Sequence, residues 1–262
     1  MTAEPRAESW VASDGVLVPN ERAAMALPLT VADLVGEVVA LARDVGARAG
    51  GGELTLRVMV TRGEGPMGLD PTDATDPRRI VIVTPFRGLP ASAYEVGVEV
   101  VTYATHRPSD AARGAKVANY LESILAIRHA RASGAHEAII LTGDGCVVEG
   151  TTSNVLAVRG DELLSPPDYE TLLPGITRRV VMELAPTVGL AVTTRRLEPH
   201  DLASADEVFL TSTIREILPV VKIDGHVVGA GRPGPKTRAL AEAYRARTTL
   251  PAHADLRYIT GP

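Results

Sequence analysis

Apolar residues recur along this chain with two distinct periods, and each period predicts one kind of element. Alternating apolar and polar residues predict a strand over residues 54–61, because successive side chains of a strand point to opposite faces. Apolar residues three and four positions apart predict a helix over residues 29–47, with Thr30 as its N-cap. The same periods predict strands at 10–12, 15–18, 79–84, 96–103, 137–141, 155–159, 191–196, 208–212, 219–223 and 226–228, and helices at 118–132, 175–190, 199–203 and 235–247.

Hairpins interrupt the alternation of strands and helices, and this mixture predicts the class of fold. Asp224-Gly225 stands between two short predicted strands, which is typical of a tight hairpin turn. Because helices and hairpins are interleaved, we expect an α+β fold with mixed sheets rather than one parallel sheet. A polar, proline-containing stretch at 106–115 predicts a linker between a small N-terminal domain at 1–105 and a larger domain at 116–262.

The composition narrows the classes of function open to this chain. Of its 262 residues, 45% are hydrophobic and only 3% aromatic, so aliphatic side chains must fill a sizeable core. The net charge of −5 is spread over interleaved charges, unlike a nucleic-acid-binding surface. The single Cys146 excludes an intrachain disulfide and a cysteine metal cluster. Residues 1–10 lack a signal-peptide core, and no run reaches the ~20 apolar residues of a membrane span, so we expect a soluble cytoplasmic protein without a metal or a membrane partner.

A lysine and a glutamate delimit the segment with the most informative chemistry. Lys116 stands at the predicted start of a helix, and Glu149 closes a predicted strand that contains the apolar pair Val147-Val148. Pyridoxal phosphate needs both residue types, a lysine amine for its aldehyde and an ionic partner for its ring nitrogen. Tyr120 lies four positions after Lys116, so on a helix the two side chains share a face and the hydroxyl could donate to the cofactor's phenolic oxygen. Each of these residue types, taken alone, is more often a surface or half-buried group.

Two short segments could hold a phosphate group. Gly175 opens a predicted helix, and the backbone N–H groups of Ile176 and Thr177 would point at an anion placed there. Segment 211–216 follows a predicted strand and offers hydroxyls, including that of Thr213, together with backbone donors. Neither segment is specific alone, because glycines and runs of Thr and Ser are common in ordinary turns.

Four blocks of sequence carry the evidence for a family. They are Lys116-x-x-Asn119-Tyr120-Leu121, Glu149-Gly150-x-x-Ser153-Asn154, Leu173-Pro174-Gly175-Ile176-Thr177-Arg178 and Thr211-Ser212-Thr213-x-x-Glu216-Ile217-x-Pro219-Val220. In this order they resemble the class IV aminotransferases, the fold-type IV pyridoxal phosphate enzymes, over residues 54–247. The resemblance implies a small α/β domain and a larger domain with a mixed, barrel-like sheet. It also implies a homodimer in which the partner's small domain completes the active site.

The resemblance implies a role for each matching residue. Lys116 would be the catalytic residue and would bind the cofactor covalently. The other cofactor-binding residues would be Tyr120, Glu149, Asn154, Gly175, Ile176, Thr177, Thr213 and Ile214. The substrate-binding residues would be Arg57, Arg62, Thr151, Thr152 and Arg215.

The implied reaction moves an amino group from an α-amino acid to a 2-oxo acid such as 2-oxoglutarate. The Asn119-Tyr120-Leu121 block and the strand containing Arg57 favour a branched-chain L-amino acid as donor. Arg62 also matches a carboxylate-binding position of D-amino acid transaminases, although Glu64 replaces the histidine that would follow it. The alternatives that stay open are a D-amino acid transaminase, a 4-amino-4-deoxychorismate lyase, and a catalytically impaired remnant that binds the cofactor weakly.

One segment of the family pattern has no counterpart in this chain. Residues 16–22 match the family's first strand, and residues 26–30 match the region that follows a His-x-x-Arg helix. The glycine-rich segment and the phosphate-binding arginine that should lie between them are missing near 22–27. Arg22 lies in the wrong motif to replace that arginine. We therefore expect a shortened small domain and weakened cofactor binding.

Overall fold

The structure divides the chain into two compact units. It is a computed structural model and describes residues 10–13, 16–19, 31–48, 50–68, 70–74, 76–105, 120–168 and 172–249. One unit ends at Gly88 and the other begins at Leu89. Within the described ranges, no helix is both long and apolar enough to cross a membrane.

The N-terminal unit contains two hairpins and one long helix among its described residues. Strands β1 (Trp10–Ser13) and β2 (Val16–Pro19) pair antiparallel, which confirms the predicted first hairpin. Helix α1 (Val31–Arg48) packs against the antiparallel pair β3 (Leu54–Thr61) and β4 (Arg78–Pro85).

An ion pair and a local turn fix parts of this unit. Arg79 on β4 pairs with Glu37 on α1 across 2.7 Å, so the helix and the hairpin are also joined by charge. In the connection between β3 and β4, the carboxylate of Asp70 accepts hydrogen bonds from the hydroxyl and the backbone N–H of Thr72. These two bonds hold the pKa of Asp70 below its usual value.

The second unit is built around one mixed sheet of nine strands. Its strands are β5 (Val98–Ala104), β6 (Glu137–Leu141), β7 (Val147–Gly150), β8 (Asn154–Arg159), β9 (Glu162–Ser165), β10 (Ala191–Thr194), β11 (Glu207–Ser212), β12 (Glu216–Ile223) and β13 (His226–Val227). Its helices are α2 (Ala91–Glu95), α3 (Leu121–Ala132), α4 (Ile176–Leu184), α5 (Pro199–Ala203) and α6 (Pro235–Thr248).

The order of the strands shows that the sheet curls toward closure. The order is β10-β9-β8-β11-β12-β5-β6-β7, with β13 on β12. The β9–β10, β5–β12 and β5–β6 pairs are parallel, and the other pairs are antiparallel. The two ends of this order approach each other, because Val147 on β7 donates a backbone hydrogen bond to the carbonyl of Leu197 across 2.8 Å, just after β10. The predicted α+β fold with a barrel-like mixed sheet is therefore confirmed.

Both faces of the sheet are covered by apolar side chains. Along β8, Val155 and Ala157 belong to the cluster inside the curled sheet, whereas Leu156 and Val158 pack with residues of α4 and α6 on the outside. A third cluster joins α3 to β6. Because both faces of β8 are buried, its sequence is an apolar run without alternation, as is typical of strands with two covered faces.

Three sequence predictions need correction. The division between the units lies at Gly88 and not at 106–115, because β5, assigned to the small domain, lies between β12 and β6 in the large sheet. The helix predicted at 118–132 begins at Leu121. The helix predicted at 175–190 ends at Leu184 and continues as a short 3₁₀ turn, and Gly189 with φ 73° ends it in the left-handed region.

Helix α2 and strand β9 were not predicted, and some predicted features fall outside the described residues. Both elements are short, and neither offers enough residues to establish a period. The predicted N-cap Thr30, the proposed linker at 106–115 and the gap near 22–27 lie outside the described residues.

The last helix is attached to the sheet by a buried carboxylate. Glu207 on β11 accepts hydrogen bonds from the backbone N–H groups of Lys236 (3.0 Å) and Thr237 (2.6 Å), in the first turn of α6. Gly234 is the N-cap residue, and a Cβ added to it would lie 2.0 Å from the Glu207 carboxyl carbon. A negative charge at this position is favourable because it faces the unpaired N–H groups of the helix.

Candidate active site

Several predicted site residues in the described part of the second unit lie at one edge of the curled sheet. Strands β8 and β11 are antiparallel and place Asn154 opposite Thr211, so β8 begins where β11 ends. The loop 151–153, between β7 and β8, therefore lies at the same edge as the turn 213–215, between β11 and β12. The sheet register brings together segments that are about 60 positions apart in sequence.

Glu149 and Asn154 hold the segment that precedes α4. The Glu149 carboxylate accepts a hydrogen bond at Oε2 from the backbone N–H of Leu173 across 2.9 Å. The side-chain amide of Asn154 donates to the carbonyl oxygen of Leu173 across 2.8 Å. The backbone N–H and carbonyl of Leu173 are thus bound by two predicted cofactor-binding side chains. The fold therefore fixes the positions of Glu149 and Asn154 relative to each other.

Gly175 is needed for this close packing. A Cβ at Gly175 would lie 2.0 Å from Oδ1 of Asn154, a separation that no side chain can adopt. Gly175 is the N-cap residue of α4 and supplies no side-chain cap, so the N–H groups of Ile176 and Thr177 have no acceptor within the helix. The start of this nine-residue helix therefore has the composition expected of a phosphate cradle.

Thr177 and Arg178 anchor the start of α4 to its surroundings. The Thr177 hydroxyl lies 3.4 Å from the hydroxyl of Tyr244 on α6. Arg178 is 3% exposed, and its guanidinium donates to Ser165 Oγ and to the carbonyl of Pro166, each across 2.7 Å, and to Asp168 across 2.5 Å. Sequence reasoning assigned Arg178 no role, and its buried guanidinium, with one hydrogen bond from each of its three nitrogens, ties the start of α4 to residues 165–168.

The turn after β11 holds Thr213 and Ile214, and both are exposed. Arg215 in the same turn is largely buried and is engaged by Glu137, Thr152 and Ser212. The structure thus gives Arg215 internal partners, and its binding of a substrate carboxylate stays a prediction.

Glu137 is the functional candidate that sequence reasoning missed. It begins β6, is fully buried, and accepts hydrogen bonds at Oε1 from Thr151 Oγ1 (2.8 Å), the Thr152 N–H (3.0 Å) and Ser153 Oγ (2.9 Å). It therefore organises the loop that contains two predicted substrate-binding residues. The sequence does show Glu137 at the start of an otherwise apolar strand. A carboxylate at such a position is usually at an exposed strand end, so the sequence did not single it out.

The remaining predicted site residues are placed only in part. Lys116 lies outside the described residues. Tyr120 is half-buried and is the N-cap residue of α3, with φ −99° and ψ 9°, so the helical spacing used to place it beside Lys116 does not hold for Tyr120. Arg57 is exposed on β3 and Arg62 is half-buried just after that strand, both in the N-terminal unit.

The described residues fit pyridoxal phosphate in two respects. The N–H groups of Ile176 and Thr177 in the first turn of α4 have no acceptor within the helix, and Glu149 places an oriented carboxylate close to that turn, through Leu173. The N–H groups suit an anion such as a phosphate, and the carboxylate suits a protonated ring nitrogen. Among the described residues, no group of three histidine, cysteine, aspartate or glutamate side chains could hold a metal ion.

The fold and this site define an α+β enzyme that uses pyridoxal phosphate. The amino-transferase class IV family matches residues 21–223. The chain belongs to this family and is a pyridoxal phosphate-dependent transaminase. The predicted family, enzyme class and cofactor are therefore confirmed.

Individual relatives agree with this assignment. A Methanocaldococcus jannaschii protein, provisionally named a branched-chain-amino-acid aminotransferase, is 38% identical over 84% of this chain and 74% of its own length. A crystal structure of the Escherichia coli branched-chain amino acid aminotransferase superposes with a TM-score of 0.78 and 28% identity, covering 90% of this chain and 78% of the other. A hypothetical aminotransferase from Mycobacterium tuberculosis, solved in an α-ketoglutarate and PMP bound form, gives a TM-score of 0.72 and 26% identity, covering 84% of this chain and 77% of the other.

Proposed function

We propose that this transaminase moves the amino group of a branched-chain L-amino acid to a 2-oxo acid such as 2-oxoglutarate. The observation that carries the proposal is the pair of hydrogen bonds from Glu149 and Asn154 to Leu173, which joins the two halves of a pyridoxal phosphate site. The names of the relatives support a branched-chain donor, and the α-ketoglutarate-bound form of the Mycobacterium tuberculosis protein supports the acceptor.

Each assigned residue has a different role in the reaction. When bound, pyridoxal phosphate forms a covalent link to an amino group and withdraws electrons from the substrate's α-carbon. Glu149 is assigned to keep a proton on the ring nitrogen, and the Leu173 N–H orients its carboxylate for this role. The N–H groups of Ile176 and Thr177 bind the phosphate. Lys116 holds the cofactor between turnovers and then carries the α-proton, acting first as general base and then as general acid.

Substrate binding is assigned to the loop 151–153 and to arginines of the N-terminal unit. Thr151 and Thr152 lie at the edge of the sheet that carries the cofactor residues. Arg57 and Arg62 are the candidates for the substrate's carboxylate. A homodimer in the cytoplasm is part of the proposal, and the homodimer rests on the sequence resemblance.

The experiment compares three amino donors in parallel. Leucine, D-alanine and aminodeoxychorismate are each incubated with the purified protein, pyridoxal phosphate and 2-oxoglutarate, and glutamate formation is measured. We expect glutamate from leucine and little from D-alanine. Glutamate from D-alanine alone would replace the proposal with a D-amino acid transaminase. Pyruvate and 4-aminobenzoate formed without any oxo acid would replace it with a lyase.

A further inference from the structure

Glu137 is a buried charge at the centre of the candidate site. Its side chain is 1% exposed, and three donors from the loop 151–153 occupy Oε1. Gly150 is required beside it, because a Cβ there would lie 2.7 Å from Oε1 and 2.1 Å from Ser153 Oγ. A buried carboxylate is costly unless it is both hydrogen-bonded and paired with a positive charge.

Arg215 supplies that positive charge from a different segment of the chain. Its Nη1 donates to Oε2 of Glu137, and its Nη2 donates to the hydroxyl of Thr152 across 2.7 Å and to the carbonyl of Thr152 across 3.1 Å. Its Nε donates to Ser212 Oγ across 3.2 Å. One guanidinium therefore joins the loop 151–153 to the turn 213–215.

The turn that carries Arg215 is also fixed from its other side. The Tyr94 hydroxyl donates to the carbonyl of Arg215 across 3.3 Å. Glu216 has φ 53°, in the left-handed region that non-glycine residues rarely adopt, and its carboxylate is paired with Arg245 across 2.9 Å. A backbone conformation of this kind persists only where several contacts support it.

We propose that Glu137 and Arg215 are a positioning pair that sets the separation of the loop 151–153 and the turn 213–215, and thereby the affinity of the site for its ligands. The pair joins exposed Thr152 to the turn that presents Thr213 and Ile214. This inference rests on the proposed function, which assigns Thr152 to the substrate, and on the sequence resemblance, which assigns Thr213 and Ile214 to the cofactor. Neither Glu137 nor Arg215 is given a chemical step. They act on binding by holding the backbone of the two segments in one arrangement.

Three variants and one control separate positioning from simple stability. The variants are Arg215→Met, Glu137→Gln and the double variant. The control is Arg195→Met, because Arg195 is paired across 2.7 Å with the 4% exposed side chain of Asp201, and its guanidinium donates to Asp201 and to the carbonyl of Arg196. Each protein is measured for melting temperature, for kcat and KM with leucine, and for the dissociation constant of pyridoxal phosphate.

We expect Arg215→Met and Arg195→Met both to lower the melting temperature, because each removes a cation from a buried carboxylate. Only Arg215→Met should raise KM for leucine, by about tenfold or more, with kcat changed less than about threefold, because the lost interaction acts on binding. The double variant should recover part of the melting temperature, since both charges are removed, while KM stays raised. Unchanged KM in Arg215→Met, or recovery of KM together with melting temperature in the double variant, would overturn the proposal.

Hydrogen exchange of the Thr152 amide gives a readout that needs no activity. That N–H is bonded to Glu137, so Arg215→Met should speed its exchange by about tenfold or more relative to wild type, whereas Arg195→Met should not. Exchange at wild-type rates in Arg215→Met would also overturn the proposal. If the wild-type protein transaminates no donor, the proposed function fails by itself, and the amide exchange together with the cofactor dissociation constant still decides the positioning role.

Discussion

The backbone N–H of Leu173 lies 2.9 Å from Oε2 of Glu149, although the two residues are 24 positions apart in sequence. Leu173 stands before α4, the predicted phosphate-binding helix, and Glu149 is the predicted partner of the cofactor's ring nitrogen. This hydrogen bond therefore joins the two segments that are assigned to opposite ends of the cofactor.

The Glu149→Gln variant should separate two roles of Glu149, its hydrogen bond with Leu173 and its negative charge. The glutamine side-chain oxygen can still accept from Leu173, so the fold should be kept, but a neutral amide cannot hold a proton on the ring nitrogen. We expect kcat for leucine to fall by roughly 100-fold, the lower end of what proton transfer contributes in enzymes. Single-turnover kinetics measure the change, and wild-type rates would refute the assigned role.

Lys116→Ala tests the catalytic lysine, which lies outside the described residues. Without the amine, the protein should fold normally but trap no cofactor after borohydride reduction, and it should show no transamination. Mass spectrometry of the reduced protein is the measurement. Lys222→Ala is the matched control, because Lys222 is committed to an ion pair with Glu99 and should not affect trapping. Cofactor trapped at another residue in Lys116→Ala would refute the assignment.

Gly175→Ala tests the packing at the start of α4. The added Cβ would collide with Oδ1 of Asn154, so the Asn154 side chain or the first turn of the helix must move, and the hydrogen bond from Asn154 to Leu173 is disturbed. We expect the dissociation constant of pyridoxal phosphate to rise by about tenfold or more, which corresponds to about 1.4 kcal/mol. Gly36→Ala is the control, since nothing lies within 4 Å of a Cβ there and α1 should be stabilised by about 0.5–1 kcal/mol. Equal cofactor affinity in both variants would contradict the cradle.

His136 should make stability depend on pH. Burial lowers its pKa from the usual 6.5, and the positive charge of Arg215 acts in the same direction against the opposing effect of Glu137. The unfolded chain therefore binds a proton that the folded chain resists, so the free energy of unfolding should decrease as pH falls through 6.5. Urea unfolding at about pH 8 and about pH 5.5 measures this loss, in wild type and in His136→Gln. The loss should be smaller in His136→Gln, and an equal loss would exclude His136 as its source.

The gap near 22–27 should weaken cofactor binding. An arginine that binds phosphate through two charge-assisted bonds contributes about 1.5–3 kcal/mol for each bond, or roughly tenfold to a few hundredfold in affinity. We expect a variant with the family-typical segment inserted between Arg22 and Leu27 to retain pyridoxal phosphate through dialysis longer than this chain does. Equal retention would show that another residue has taken over the role of the arginine.

Local pattern was sufficient to predict most elements, because their periods are regular over five or more residues. Strands β3 and β6 and helix α5 have the predicted bounds. The domain division could not be found in this way, because β5 reads as an ordinary strand wherever it is placed. Its place between β6 and β12 depends on pairing with residues 137–141 and 220–223, which are distant in sequence.

The site was predicted as a set of ligand-facing residues, and its internal supports were missed. Motif positions such as Glu149 and Gly175 could be identified because their residue types suit a known chemistry. Glu137 and Arg178 could not, because their function depends on burial and on partners that only the folded chain brings within reach. A buried ion pair such as Glu137 with Arg215 leaves no periodic signal, since its members are 78 positions apart.

The two ends of strand β11 contact different parts of the second unit. Glu207, its first residue, holds the start of α6, and Ser212, its last, accepts a hydrogen bond from Arg215 in the turn next to the site. The strand is six residues long and paired on both sides, so it connects the start of α6 to the turn. Substitutions at Glu207 are therefore expected to alter the turn next to the candidate active site, although Glu207 is at the other end of β11.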